Sequence, residues 1–428
     1  GDSLRVIAQL TDAVSLARYG SWEWNRAVTG PVAEDVSVEI ARNVRIALGS
    51  EIRRRELEAG ASSQAALELY RTARSVYQEE ATADWTDDPM SGLALLDQAD
   101  SLLAEAERLD SGWPAPPILR SRIADDRSLL SGRLGHRRLE DLDAAIDHAN
   151  RALATGRDSA VGLEQRGRLY FTMAEYAHPA AADSLLASAE RDLRSASRLA
   201  DRPGALLVLS DVLKRQGRLN AAHRTTRRAV EADAYLEFGS EVLYGLTMAA
   251  LQLEDIEEAD ALARVARRRF PEDPDHVAMR LLILAARDSP ADRHADWALA
   301  AADTVAALNV VERQAEWRAY ARMMAAPTLA RAGLRGRAED VIRESRELLA
   351  ELNPALLSAS AYYEAYARLH WGQRDSVTSL LQRYTEGYPA RARSLRSDWW
   401  FRELWDDPRY QRLAGDAPAL EAAATSDR

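Results

Sequence analysis

Apolar and polar residues alternate at the start of the chain. Leu4, Val6, Ala8 and Leu10 are separated by Arg5, Gln9 and Thr11, the period of two that marks a strand. Trp22, Trp24 and Arg26 predict a second strand, entered after Gly20, and Gly30-Pro31 then breaks the chain. From Val32 the period changes. Val36, Ile40, Val44 and Ala47/Leu48 fall at helical spacing, with Gly49 as the expected stop. Residues 1–50 therefore read as strand, strand, helix. Two strands alone are marginally stable, so this stretch is expected to be the remnant of a larger α/β domain.

From about residue 60 to 390 the pattern is helix after helix. A small–large–small spacing recurs within it: Ala99, Leu103 and Ala106, then Ala189, Leu193 and Ala196. Ala145, Ala149 and Ala152 keep the spacing with a small centre, and Ala222, Thr226 and Ala229 with a polar one. Ala259, Ala263 and Ala266 are followed by Pro271. Leu163, Gly167 and Tyr170 give an apolar, small, aromatic series, Gly217 and Gly333 precede Ala222 and Ala338, and Gly372 and Pro389 bracket a last unit around Leu381. These motifs resemble the tetratricopeptide repeat, in which small residues sit where paired helices cross closely. The resemblance implies an all-α, right-handed solenoid of seven or eight helical hairpins. The loops at 80–90 and 286–292 leave the register open in the second and sixth units. One hairpin exposes an apolar face, which stacking against neighbours buries.

The chain closes differently. Trp399, Trp400, Phe401, Leu404 and Trp405 precede Asp407-Pro408, Tyr410 and Leu413. Residues 391–416 are expected to cap the last apolar face of the array, with a ligand-binding aromatic box as the alternative, and 417–428 to form a tail.

In chain order, Gly1 to Ala13, Val38-Glu39-Ile40-Ala41 and Leu404 to Leu413 resemble segments of bacterial signalling proteins. In that family a TolB-like segment precedes tetratricopeptide repeats. The resemblance implies an output domain upstream, such as a serine/threonine kinase, an adenylate cyclase or a DNA-binding domain. Residues 1–50 would then be the end of the TolB-like segment, and the chain a sensory or scaffolding region. Gly1-Asp2-Ser3, without methionine or signal peptide, fits a piece of a longer polypeptide.

Charge and composition narrow the functional classes. A net charge of −11 argues against a general nucleic-acid binder. Lys214 is the one lysine among 56 basic residues, a bias read as codon usage in a GC-rich bacterial genome. With no cysteine, disulfides, thiolate nucleophiles and cysteine-ligated metals are excluded. No run of about 18 apolar residues offers a membrane span. The seven histidines form no His-Glu-x-x-His pair, and no phosphate-binding loop, nucleophile elbow or kinase signature is present. No catalytic, cofactor or metal site is expected. The adjacent pairs Asp125-Asp126 and Asp406-Asp407 point to different helix faces and read as solvated turns or caps.

Binding is the remaining class. Arg224, Arg227 and Arg228, then Arg264, Arg267, Arg268 and Arg269, form a basic stripe on second helices. It reads as a solvated, paired face, with an acidic or phosphate-bearing partner as the alternative. First helices line the concave face. Their expected exposed positions are Glu164, Arg168 and Phe171, then Asp211, Lys214 and Arg215, then Tyr244 and Met248, then Tyr320 and Met323, then Tyr362, Tyr366 and His370. Such a Tyr, Met and Arg wall suits a protein or peptide ligand, although a shift of register would move these residues into the core. Self-association is the alternative role.

Overall fold

A computed structural model describes residues 3–11, 18–27, 32–82, 89–133, 138–157, 159–177, 179–236, 238–271, 273–287, 295–308, 314–352, 354–387 and 389–415. The expected Gly30-Pro31 break, most of both long loops and the 417–428 tail lie outside these. Strands β1 (Ser3–Thr11) and β2 (Arg18–Ala27) pair antiparallel, with Val6 opposite Trp24 and Ala8 opposite Trp22. A Cβ on Gly20 would lie 2.2 Å from the Trp22 indole, so glycine makes room for that ring.

Helix α1 (Val32–Ala59) packs on this sheet and does not stop at Gly49. Arg54 and Arg55 pair with Glu51 at 2.6 Å, and Arg54 with Glu58 at 2.9 Å, supporting the extra turns. Gly49 has a different purpose. Its missing side chain admits Tyr235, whose Cβ would lie 2.7 Å from a Cβ there. Arg45 donates to the Ala234 carbonyl at 2.9 Å, and Arg42 donates to that of Arg269. Trp113 ties down the far end, donating from Nε1 to the Leu57 carbonyl at 2.8 Å.

The repeats pair as hairpins, first helix against second. The first four pairs are α2 (Gln64–Thr82) with α3 (Pro89–Leu109), α4 (Ala115–Arg133) with α5 (Arg138–Ala154), α6 (Ser159–Tyr176) with α7 (Pro179–Leu199), and α8 (Pro203–Arg215) with α9 (Leu219–Ala232). The next are α10 (Gly239–Gln252) with α11 (Ile256–Arg269), and α12 (Pro274–Ala286) with α13 (Ala295–Leu308). The last are α14 (Gln314–Arg331) with α15 (Arg335–Leu352), and α16 (Pro354–Leu369) with α17 (Arg374–Gly387). Each second helix also packs on the next first helix, which makes a solenoid of tetratricopeptide type.

The small residues sit where helices cross. Ala99, Ala106, Ala189, Ala196, Ala222 and Ala229 are fully buried. Around Gly167 a Cβ would meet Leu193 Cγ at 2.7 Å and the Ala189 carbonyl oxygen at 3.3 Å. The polar centre Thr226 is satisfied, donating to Ser210 Oγ at 2.6 Å while Ser210 bonds the Ala222 carbonyl at 3.1 Å. Gly217, Gly333 and Gly372 hold positive φ of 75°, 72° and 69° in the hairpin turns. In the α10–α11 turn the matching position, five before Ala259, is Glu254 at φ 63°, a conformation that strains a residue with a Cβ.

After α17 the chain runs through two 3-10 helices, Pro389–Ser397 and Trp399–Leu404, and ends in α18 (Pro408–Ala414). Trp400, Phe401, Leu404 and Tyr410 are buried in one core with α10, α12, α14, α16 and α17. The first 3-10 helix reaches back to α6 and α8 as well as touching α17.

Candidate functional site

The first helices carry the concave face, and the 389–404 segment lies along it. Trp399 Nε1 donates to the Leu251 carbonyl at 2.9 Å. Arg402 pairs with Glu254, Arg393 with Asp183, and Arg391 with Glu175 at 3.7 Å. Tyr362 Oη donates to Asp398 Oδ2 at 2.6 Å. The Trp400 ring stacks on Tyr366 with centroids 4.3 Å apart and planes 17° off parallel, and on Tyr362 at 5.7 Å. Aromatic side chains at the end of the sequence therefore fill the middle of the groove.

The expected groove residues divide accordingly. Lys214, Arg215, Met248, Tyr320 and Tyr362 come together around a cavity of about 170 Å³, bounded on its other side by Asp398, Trp399 and Trp400. Phe171 adjoins them, with the Arg215 guanidinium 6.0 Å from its ring centre, while Arg215 holds Glu175 through two bonds of 2.6 and 3.0 Å. Tyr244 and Met248 pack half-buried on the main core, and His370 lies exposed beside Tyr366. Asp211 pairs with Lys214 at 2.5 Å.

Four expected wall residues are buried, although Lys214 still borders the cavity. Met323 is wholly inside the core with Leu329, Ile342 and Ala367. Three residues beyond Tyr320 it is turned about 60° round the helix, enough to leave the wall. Tyr366 is covered by Trp400, and Lys214 by its own hairpin and its ion pair. Glu164 is taken by Arg202. With Arg168 it lines a different cavity, beneath α1.

Sequence reasoning missed Tyr363, Tyr384 and Asp398. Tyr363 follows Tyr362 directly and meets Tyr320 edge-on at 5.8 Å, and Tyr384 belongs to a second helix. Burial pushes the phenols of Tyr362, Tyr363 and Tyr384 above their ordinary range. Burial also raises Asp398 to about 6, against the opposing pull of Tyr362 and the Trp400 amide. That carboxylate accepts from the Tyr362 phenol and caps a helix start through Trp400 N at 3.2 Å. The cavity offers hydroxyls, paired cations and aromatic faces.

The basic stripe is partly neutralised. Arg227 pairs with Glu258 at 2.6 Å and Arg264 with Asp260. Among the described residues no cluster of three His, Asp or Glu could hold a metal, and no helix is long and apolar enough to cross a membrane.

No family model matches the chain, and no curated protein matches it. Three similar solved structures are helical-repeat proteins. Yeast Tom70 is 13% identical, over 89% of this chain and 78% of that one, with a TM-score of 0.47. The P58(IPK) TPR domain is 14% identical, over 80% and 98%, at 0.21. Naa15/Naa10 bound to HypK-THB is 14% identical, over 84% and 62%, at 0.24. At TM-scores below 0.5 these likenesses carry no argument.

Proposed function

We propose that the chain is a non-catalytic repeat module that binds a protein or peptide segment on its concave face. On the resemblance drawn from its sequence, it would serve as the sensory or scaffolding region of a larger bacterial signalling protein. One observation carries the binding assignment. The first helices already hold an aromatic and arginine-bearing 3-10 segment, the chain's own residues 389–404, through backbone, ionic and stacking contacts. These are the contact types of peptide recognition by a helical array. A partner would present aromatic anchors to Tyr362 and Tyr366, and an arginine to Glu254 or Glu175.

The test frees the groove and refills it. A Trp400→Ala/Phe401→Ala chain is titrated with a labelled synthetic peptide of residues 389–415. Saturable binding is expected, and a scrambled peptide should fail to bind. The unaltered chain should bind far more weakly, because its tethered copy competes at an effective concentration near millimolar. Absence of binding to the freed groove would sink the reading. Light scattering on the same samples should give a concentration-independent monomer. The coding sequence ahead of Gly1 checks the signalling context, with a kinase, cyclase or DNA-binding domain expected there.

A further inference from the structure

A second cavity, of about 310 Å³, lies where α1 passes the first helices of the early hairpins. Arg53 enters it from α1, Tyr77 from α2, Arg122 and Asp126 from α4, Gln165 and Arg168 from α6, and Phe238 closes one side. It shares no lining residue with the tyrosine-rich cavity.

Its donors and acceptors do not balance. Two of the carboxylates on its walls are committed, Glu164 to Arg202 and Asp126 to the Tyr77 hydroxyl, and Asp125 is not free either. Among the described residues, Arg122 and Arg168 form no ion pair or hydrogen bond, although Arg122 acts at a distance on Asp126 and Arg168 on Glu241, and each guanidinium carries a fork of donors. Gln165 is only 5% exposed, and its Nε2 has no hydrogen-bond partner. A buried donor left unmade is costly, and native structures rarely retain one without a reason. Charges of both signs meet here, Arg53, Arg122 and Arg168 beside Asp125, Asp126 and Glu164. Burial first, then the fields of Arg202 and Arg122, push Arg53 down to about 10. The Arg53 guanidinium meanwhile lies 5.9 Å from the Phe238 ring centre, and Phe238 lines the cavity beside it.

We infer that this cavity binds a small organic oxyanion, a carboxylate or phosphate compound with a flat body. Its oxygens accept from Arg122, Arg168 and Gln165, and its body lies against Phe238. Paired guanidinium forks match planar carboxylate and phosphate oxygens two at a time. The site joins α1 to the repeats, so an occupant would bridge the amino-terminal segment and the array. The inference does not rest on the peptide-binding reading, because the two cavities are separate.

The experiment uses the full chain in low-salt buffer, titrated calorimetrically with inorganic phosphate, phenyl phosphate, benzoate and succinate. Sodium chloride at matched ionic strength is the control. Saturable binding at one site is expected for at least one aryl anion, more tightly than for inorganic phosphate. The phenyl phosphate and benzoate arms tell which head group the site takes. Arg122→Gln and Gln165→Met should each weaken that binding by about tenfold or more, the loss expected for one charge-assisted bond. Gln165→Met should leave the unliganded melting midpoint equal or higher, since it removes an unsatisfied donor. If Arg122→Gln does not fold, Arg168→Gln replaces it with the same expected loss. No saturable binding of any probe, or binding indifferent to these changes, overturns the inference.

Discussion

Trp400→Ala separates a docked ligand-like segment from a structural keystone. Trp400 is 7% exposed and stacked on both Tyr366 and Tyr362. Emptying a buried tryptophan site costs about 3–5 kcal/mol, a figure that already includes the aromatic pairing. In a solenoid stability is a sum of unit and neighbour terms, so this cost should fall on the attachment of residues 389–414 and the helices beneath them. It should not fall on the hairpins from α2 to α5, which bury their own crossings, whereas α6 and α7 touch the segment through Glu175 and Asp183. At about 1.4 kcal/mol per factor of ten, amide exchange in the segment should quicken by roughly 10²- to 10⁴-fold, up to its own opening limit. Hydrogen exchange read peptide by peptide measures this. Equal loss of protection in α2 to α5 would falsify the reasoning, and so would unchanged exchange across 389–414.

Three further outcomes are expected. Asp398 is raised from 3.8 to about 6 by burial, so the folded state holds its proton more tightly than the unfolded one. Docking of the segment is then strongest at low pH and weakens as pH rises from about 4 to 6, by up to about 3 kcal/mol. Segment exchange in Asp398→Asn, compared with the parent at pH 4.5 and 7.5, should have lost this component. Gly167→Leu drives a side chain into Leu193 and should cost about 1–3 kcal/mol in denaturant unfolding of the third hairpin; an unchanged midpoint would contradict the crossing geometry. Glu254→Gly relieves the φ of 63° but removes the Arg402 pair. The α10–α11 turn should exchange more slowly and the Trp399–Leu404 stretch faster, each by a factor matching about 1 kcal/mol or less.

How much of this was legible depends on the range of the interaction concerned. The Ala–Leu–Ala crossings and the glycine turns could be read because they answer a local demand, close approach or a left-handed φ, that one residue meets by itself. Met323 failed because a wall and a core position differ by a fraction of a helical turn, and apolar periodicity does not choose between them when the helix is covered on most sides. Gly49 was read as a stop from its sequence neighbours alone. The residue that explains it, Tyr235, is supplied by the turn between α9 and α10. That the C-terminal segment would lie along the first helices was not foreseen. Trp399 meets Leu251 across 148 residues of sequence, and nothing in the spacing of either stretch encodes that meeting. Glu254 was available: counting five back from Ala259 lands on glutamate where Gly217, Gly333 and Gly372 occupy the equivalent place.

The two ends of the chain act on the same middle hairpins. Helix α1 grips the Ala234 and Arg269 carbonyls, at the close of α9 and of α11, where helix ends offer unpaired acceptors and partial negative charge. The C-terminal segment grips Leu251 and Glu254, at the close of α10. An array held by neighbour contacts alone can open or tighten its curve by small changes spread over every interface. Here two long-range braces converge on α9 to α11, so a change of curvature must strain one of them. Glu254 fits this account. A glycine would be less strained in its turn, yet only a side chain there can reach Arg402, and backbone strain persists where surrounding contacts over-determine it. The fifth hairpin is thus where the groove, its internal occupant and the amino-terminal helix meet mechanically.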